Sequence, residues 1–189
     1  CTPVDSSLIA EHAGESQTLV ELYGERDIAD GLEPPTFTVP PKEYLIGITN
    51  IRMLGGEPTL DENCLALMDR MIELDKGPEV HISITTNGTN ARQSFLERIK
   101  HFNTNLRFSI DGYGPYYEYV RTYGNWNKLT KNISRLAPHA AGMGANFVLQ
   151  MYNVFGIGLY AIWLDNMYKK YENWNQDSFA IPLEWPTGF

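Results

Sequence analysis

The 189-residue chain has only two cysteines, Cys1 and Cys64, too few for a disulfide framework. Basic residues are also scarce: 15 Lys and Arg stand against 23 Asp and Glu, a formal net charge of -8 at pH 7. That balance argues against a nucleic-acid backbone or an anionic membrane surface as a broad partner, though not against a local basic pocket. No apolar run approaches the length needed to span a bilayer, and no secretory pattern opens the chain. The expected location is therefore cytoplasmic. Four histidines, His12, His81, His101 and His139, are scattered without ligand spacing. Repeats and low-complexity tracts are absent too. Since Cys1 stands where Met would open a chain, a fragment, processed product or trimmed version is the expectation.

What is present is enough apolar content, 43%, for one domain with a real core. Pro34, Pro35, Pro40 and Pro41 mark an extended loop, followed by a short helix over Pro41–Ile48. Beyond it, apolar runs alternate with amphipathic ones. Strands are predicted at Ile51–Leu54, Val80–Ile84, Leu106–Ile110, Ala145–Tyr152 and Phe179–Leu183. Helices are predicted over Glu62–Leu74, Ala91–Phe102, Tyr116–Leu136 with a break near Gly124, and Leu159–Tyr171. Leu65, Met68, Met71 and Ile72 share one helix face, and Cys64 beside Leu65 reads as core. This order predicts parallel strands with helical crossovers, either an open doubly wound sheet or a barrel.

Glycine and polar residues gather after successive strands: Gly55-Gly56-Glu57-Pro58, then Thr86-Asn87-Gly88, then Ser109 with Asp111-Gly112, then Gln150 and Asn153. In parallel α/β folds that edge binds ligands. Paired glycines let backbone approach a ligand, a carboxylate pairs with an ammonium, and serine and aspartate suit sugar hydroxyls. The pattern describes a ligand with an amine and a ribose. Each element also has a plainer account. Asp-Gly is ordinary turn chemistry, Arg121 pairs as readily with a nearby carboxylate as with a ligand, and Gln150 and Asn153 are weaker candidates. The aromatics Tyr113, Tyr116, Tyr117, Tyr119, Tyr123 and Trp126 read as packing, with one or two rings at a pocket mouth.

Gly55-Gly56-Glu57-Pro58 resembles the GGEP motif of radical S-adenosylmethionine (SAM) enzymes, flanked as is typical by Leu54 and Thr59-Leu60. Thr85-Thr86-Asn87-Gly88 resembles that family's TTNG strand end, and Ser109-Ile110-Asp111-Gly112 its SIDG segment. The stretch Tyr113–Arg121 with Gly124-Asn125-Trp126 looks like the branch with twitch- or SPASM-type auxiliary domains. Cys1-Thr2-Pro3-Val4-Asp5-Ser6-Ser7 is similar to the exit of the cluster loop. The resemblance implies a partial, TIM-like (β/α)6 barrel over residues 1–183 with its first strand missing and about five parallel strands, then an exit segment, 184–189. It implies a [4Fe–4S] cluster with Cys1 as its one ligand here, and SAM as cofactor. Gly55, Gly56, Glu57, Pro58, Thr86, Asn87, Ser109, Asp111, Arg121, Gln150 and Asn153 would contact SAM. Glu57 would orient the amine and Ser109 the ribose. A reductant and an unknown small-molecule or peptide substrate are the implied partners. One thiolate cannot replace three, so the chain alone is not expected to cleave SAM. Two alternatives stand: a SAM- or nucleotide-binding barrel without the cluster, and a barrel hydrolase using Glu57 and Asp111 as a carboxylate pair.

Overall fold

The computed structural model describes residues 39–175. All of these except Val39 belong to the unit Pro40–Phe189. Cys1, the loop prolines 34 and 35, and the strand predicted at Phe179–Leu183 lie outside the described residues.

Four strands form one sheet in the order β1 (Asn50–Met53), β2 (His81–Thr86), β3 (Asn103–Ser109) and β4 (Gly142–Asn146). Every adjacent pair is parallel. Each crossover carries helix, as parallel neighbours require. α1 (Lys42–Leu45) is a single turn ahead of β1. α2 (Glu62–Glu73) links β1 to β2. α3 (Gln93–Ile99) links β2 to β3. α4 (Pro115–Val120) and α5 (Trp126–Leu136) lie between β3 and β4, and α6 (Ile157–Lys170) follows β4.

Local chemistry sets the helix ends. Asp61 caps α2 by accepting from the Cys64 amide at 2.8 Å. Beyond its other end Asp75 takes φ 56°, and the Lys76 amide bonds back to the Met71 carbonyl. Asn125 caps α5 through the Lys128 amide at 2.7 Å. The predicted break near Gly124 is therefore the α4–α5 junction.

In β2 burial alternates strictly along the strand. Ile82 and Ile84, with their register partners Met53, Leu106 and Met143, are buried in one core with Met68, Met71, Phe95 and Ile99 of α2 and α3. His81, Ser83, Thr85, Asn105, Arg107 and Ser109 alternate with these and so lie on the other, polar face.

The clearest departure is β4. Ala145–Tyr152 was expected, whereas the strand is Gly142–Asn146. Its first residues, Gly142-Met143-Gly144, are buried and carry the ladder opposite Asn105, Leu106 and Arg107. Glycine's poor strand propensity hid them. The apolar residues after Phe147 belong instead to the connection toward α6. After α6 the chain returns to the sheet. Trp174 bridges Met143 in parallel, the Met143 amide donating to Asn173 and the Asn175 amide to Met143.

Candidate functional site

Because all four strands are parallel, the segments after β1, β2 and β3 emerge at one edge. Glu57, Asn87 and Ser109, expected together, share it.

Glu57 ties the first two strand ends. Its Oε1 accepts the Thr59 hydroxyl at 2.6 Å, the Thr86 hydroxyl at 2.6 Å and the Thr59 amide at 3.3 Å. Its Oε2 accepts the Asn87 amide at 2.7 Å. A carboxylate has about four lone-pair sites, two per oxygen, so Oε2 retains one. Glu57 is half-buried, and no cation among the described residues pairs with it. Its charge is held by dipoles alone. Gly55 and Gly56 precede it at φ 88° and 29°, and a Cβ at either would meet nothing within 4 Å. The two glycines thus expose bare backbone to solvent, in the left-handed region that favours glycine. Pro58 and Thr59 are buried behind them.

The Thr86-Asn87-Gly88 turn is braced from several sides. The Thr86 hydroxyl, besides donating to Glu57, accepts the Gly88 amide at 3.1 Å. Asn87 Oδ1 accepts the Thr89 amide at 2.8 Å, an Asx turn. Asn132 of α5 donates to the Gly88 carbonyl at 2.8 Å and to that of Thr89 at 3.0 Å, while Asn90 donates to the Thr59 carbonyl at 2.5 Å. Asn90 was not singled out in the sequence, and Asn132 was not read as part of this site. Both act on backbone some 30 or more residues away, which spacing alone does not reveal.

Ser109 is half-buried, and its hydroxyl has no hydrogen-bond partner among the described residues. Asp111 differs. It is 6% exposed, accepts the Val148 amide at 2.9 Å and pairs with Arg121 at 2.7 Å. Asn153, fully buried, donates to the Asp111 and Val148 carbonyls at 2.8 Å and accepts the Gln150 amide at 2.9 Å. These four residues, expected at a ligand, are brought together as a brace between the ends of β3 and β4. Asp111 spends its charge on Arg121, whose Nε is buried without a partner. With Asp111 paired and Glu57 bound by four donors, neither carboxylate is placed as a free acid or base for a hydrolase.

A cluster site is not found among the described residues, where no three His, Cys, Asp or Glu side chains form a metal-binding group. Cys64 is half-buried rather than fully in the core, and burial first, then the adjacent Asp61, pushes its thiol up to about 11. A thiol protonated at neutral pH is a poor iron ligand. The described residues therefore form no ligand set for a [4Fe–4S] cluster.

Comparison with known proteins completes the identification of the class. Residues 42–149, more than half of the chain, match the radical SAM superfamily, and the chain belongs to that family. No curated protein matches it in sequence. Among solved structures it is similar to Streptococcus suis SuiB bound to S-adenosylmethionine, at 13% identity and a TM-score of 0.34. That match covers 69% of this chain and 39% of SuiB, so the chain spans about two fifths of that protein's length. Among the described residues no helix is long and apolar enough to cross a membrane.

Proposed function

We propose that this chain is the SAM-binding part of an enzyme that cleaves SAM reductively and takes hydrogen from a substrate. Family membership supplies the reaction class. The observation that carries the reading here is Glu57, a half-buried carboxylate with an open Oε2 lone pair, no cation of its own, and exposed glycine backbone beside it. A ligand ammonium supplies the missing charge, through a short charge-assisted hydrogen bond. Gly55 and Gly56 allow close approach, and the Ser109 hydroxyl and the Asn87 side chain meet the ribose. Thr86 and Pro58 hold Glu57 and its turn in place. Asp111, Arg121, Gln150 and Asn153 position the Ser109 edge rather than touch the ligand.

The [4Fe–4S] cluster, with Cys1 as one ligand, belongs to this reading as the group that would supply the electron. So does the twitch- or SPASM-type branch, on the strength of the Tyr113–Trp126 segment. The test is anaerobic purification of the full-length protein, reconstitution with iron and sulfide, and assay for 5′-deoxyadenosine with SAM and a reductant. Formation of 5′-deoxyadenosine supports the reading. A fully loaded, folded protein that makes none contradicts it.

A further inference from the structure

The two faces of the sheet differ in character. Apolar strand residues on one face share a core with α2 and α3, and the other face carries the polar residues of the strands. That polar face runs up to the edge where Asn87 and Ser109 lie. Its charge has one sign. The four strands contain no Asp or Glu, in a chain with 23 acidic residues. Their two guanidinium groups, on Arg52 of β1 and Arg107 of β3, both belong to the polar face. Arg52 is in register with Ser83, and Arg107 with Thr85.

Register fixes their placement. Arg52 and Arg107 stand two strands and two residues apart, about 12 Å between Cα atoms, with β2 between them. Two long arginine side chains together span that gap, so one group above β2 is within reach of both. The Ser83 and Thr85 hydroxyls at that place are half-buried and have no hydrogen-bond partner among the described residues. Arg107 leans toward the ligand edge. Its Nη1 donates to Asn146 Oδ1 at 3.5 Å, and Asn146 is the register partner of Ser109, two residues further along β3. A guanidinium carries five donors, so this bond does not exhaust it. Cations on a face whose strands supply no counter-charge favour an anion from elsewhere. The place of that face decides which anion. A radical formed at the cofactor takes hydrogen only from a group in contact with it, so the substrate lies against the same edge.

We propose that the substrate is an anion at neutral pH, and that Arg107 and Arg52 receive its carboxylate or phosphate group on this face, above the Ser83 and Thr85 hydroxyls. The guanidinium fork matches either oxyanion in bidentate geometry. The hydrogen to be taken then lies in the part of the molecule that projects toward the SAM edge. That the anion is a substrate rests on the proposed function. That the face binds an oxyanion does not.

The probes are succinate and inorganic phosphate, with neutral succinamide as the control. Each is titrated into the isotope-labelled, reconstituted full-length protein with SAM present, and followed by the arginine Nε–H NMR signals. Saturable shifts of the Arg52 and Arg107 signals are expected with at least one anion, at a concentration of the order of 10 mM, with succinamide silent. Arg107→Gln and Arg52→Gln should each weaken the anion about tenfold, and Arg107→Lys, which keeps the charge and loses the fork, should weaken it less. Tighter succinate assigns a carboxylate and tighter phosphate a phosphate ester, and either supports the proposal. Shifts that fail to saturate, succinamide binding as well as succinate, or anion affinity unchanged in both Gln variants overturns it. Should Arg107→Gln lose its dispersed spectrum, the exposed Arg52→Gln decides alone, and unchanged affinity there overturns the assignment. Failure of the proposed function is read separately, as absence of 5′-deoxyadenosine from the full-length protein.

Discussion

At the scale of single residues, a carboxylate held by four protein donors and no cation differs from one already in an ion pair. In the sequence Glu57 and Asp111 are each an acid beside glycine after a strand, Glu57 within the GGEP resemblance and Asp111 equally well a turn former. Their partners separate them: Asp111 is paired with Arg121, whereas Glu57 is held by four hydrogen-bond donors and by no cation among the described residues. Glu57→Gln therefore has two consequences. The amide cannot accept from both Thr hydroxyls and the Asn87 amide at once. Stability should fall by about 1–3 kcal/mol, lowering Tm by roughly 2–4 °C per kcal/mol. Affinity for SAM in the reconstituted full-length protein should fall about tenfold or more, with iron content unchanged. Thr86→Val is the control, removing two hydrogen bonds while keeping the charge. It should reproduce the loss of Tm with a much smaller loss of affinity. Equal affinity losses in the two variants would reduce Glu57 to a turn residue. Cys64 supplies a second residue-scale prediction. Its folded pKa of about 11 lies above the ordinary 9.0, so the folded state holds its proton more tightly than the unfolded one. Its contribution to stability is complete below pH 9 and is lost as pH rises toward 11. At pH 8 iodoacetamide should alkylate Cys64 far more slowly in the folded chain than in urea. Rapid labelling of folded protein would contradict this.

At the scale of elements, the loops after β2 and β3 are built as tightly as the strands they end. A Cβ on Gly112 would stand 2.9 Å from the Tyr116 carbonyl carbon and the Tyr117 amide nitrogen, both backbone of α4. Gly112→Ala should thus displace α4 and cost about 1–3 kcal/mol, seen as a lower urea midpoint. Gly55→Ala meets no atom and pays only for its left-handed φ, about 1 kcal/mol. A Gly112→Ala loss no larger than that of Gly55→Ala would contradict the packing account. Asn153→Ala should cost about 2–3 kcal/mol, because it strands two carbonyls and an amide in the β3–β4 brace. The elements differed in how far they were legible. β2, α2 and the α4–α5 break were readable because alternation, helical period and Gly124 speak locally. β4 was misplaced because its glycines are buried by neighbours, a tertiary fact that periodicity does not carry. The bracing roles of Asn90 and Asn132 were not legible, since they arise only when distant loops meet.

At the scale of the whole molecule, the parallel order β1-β2-β3-β4 turns four separated sequence segments into one edge. The alternating pattern in the sequence predicted that edge, and the sheet topology bears it out. The sequence ranked Asp111 and Asn153 below Glu57 and Ser109, but that Asp111, Arg121, Gln150 and Asn153 brace one another emerges only from burial and hydrogen bonding. The central claim is that SAM occupies the end formed by residues 54–59, 86–89 and 109–111. Amide hydrogen exchange of the reconstituted full-length protein, with and without SAM, tests it most directly. Protection should appear in those three segments together and leave α6 unchanged. Protection confined to other segments, with these three exchanging as before, would contradict the account.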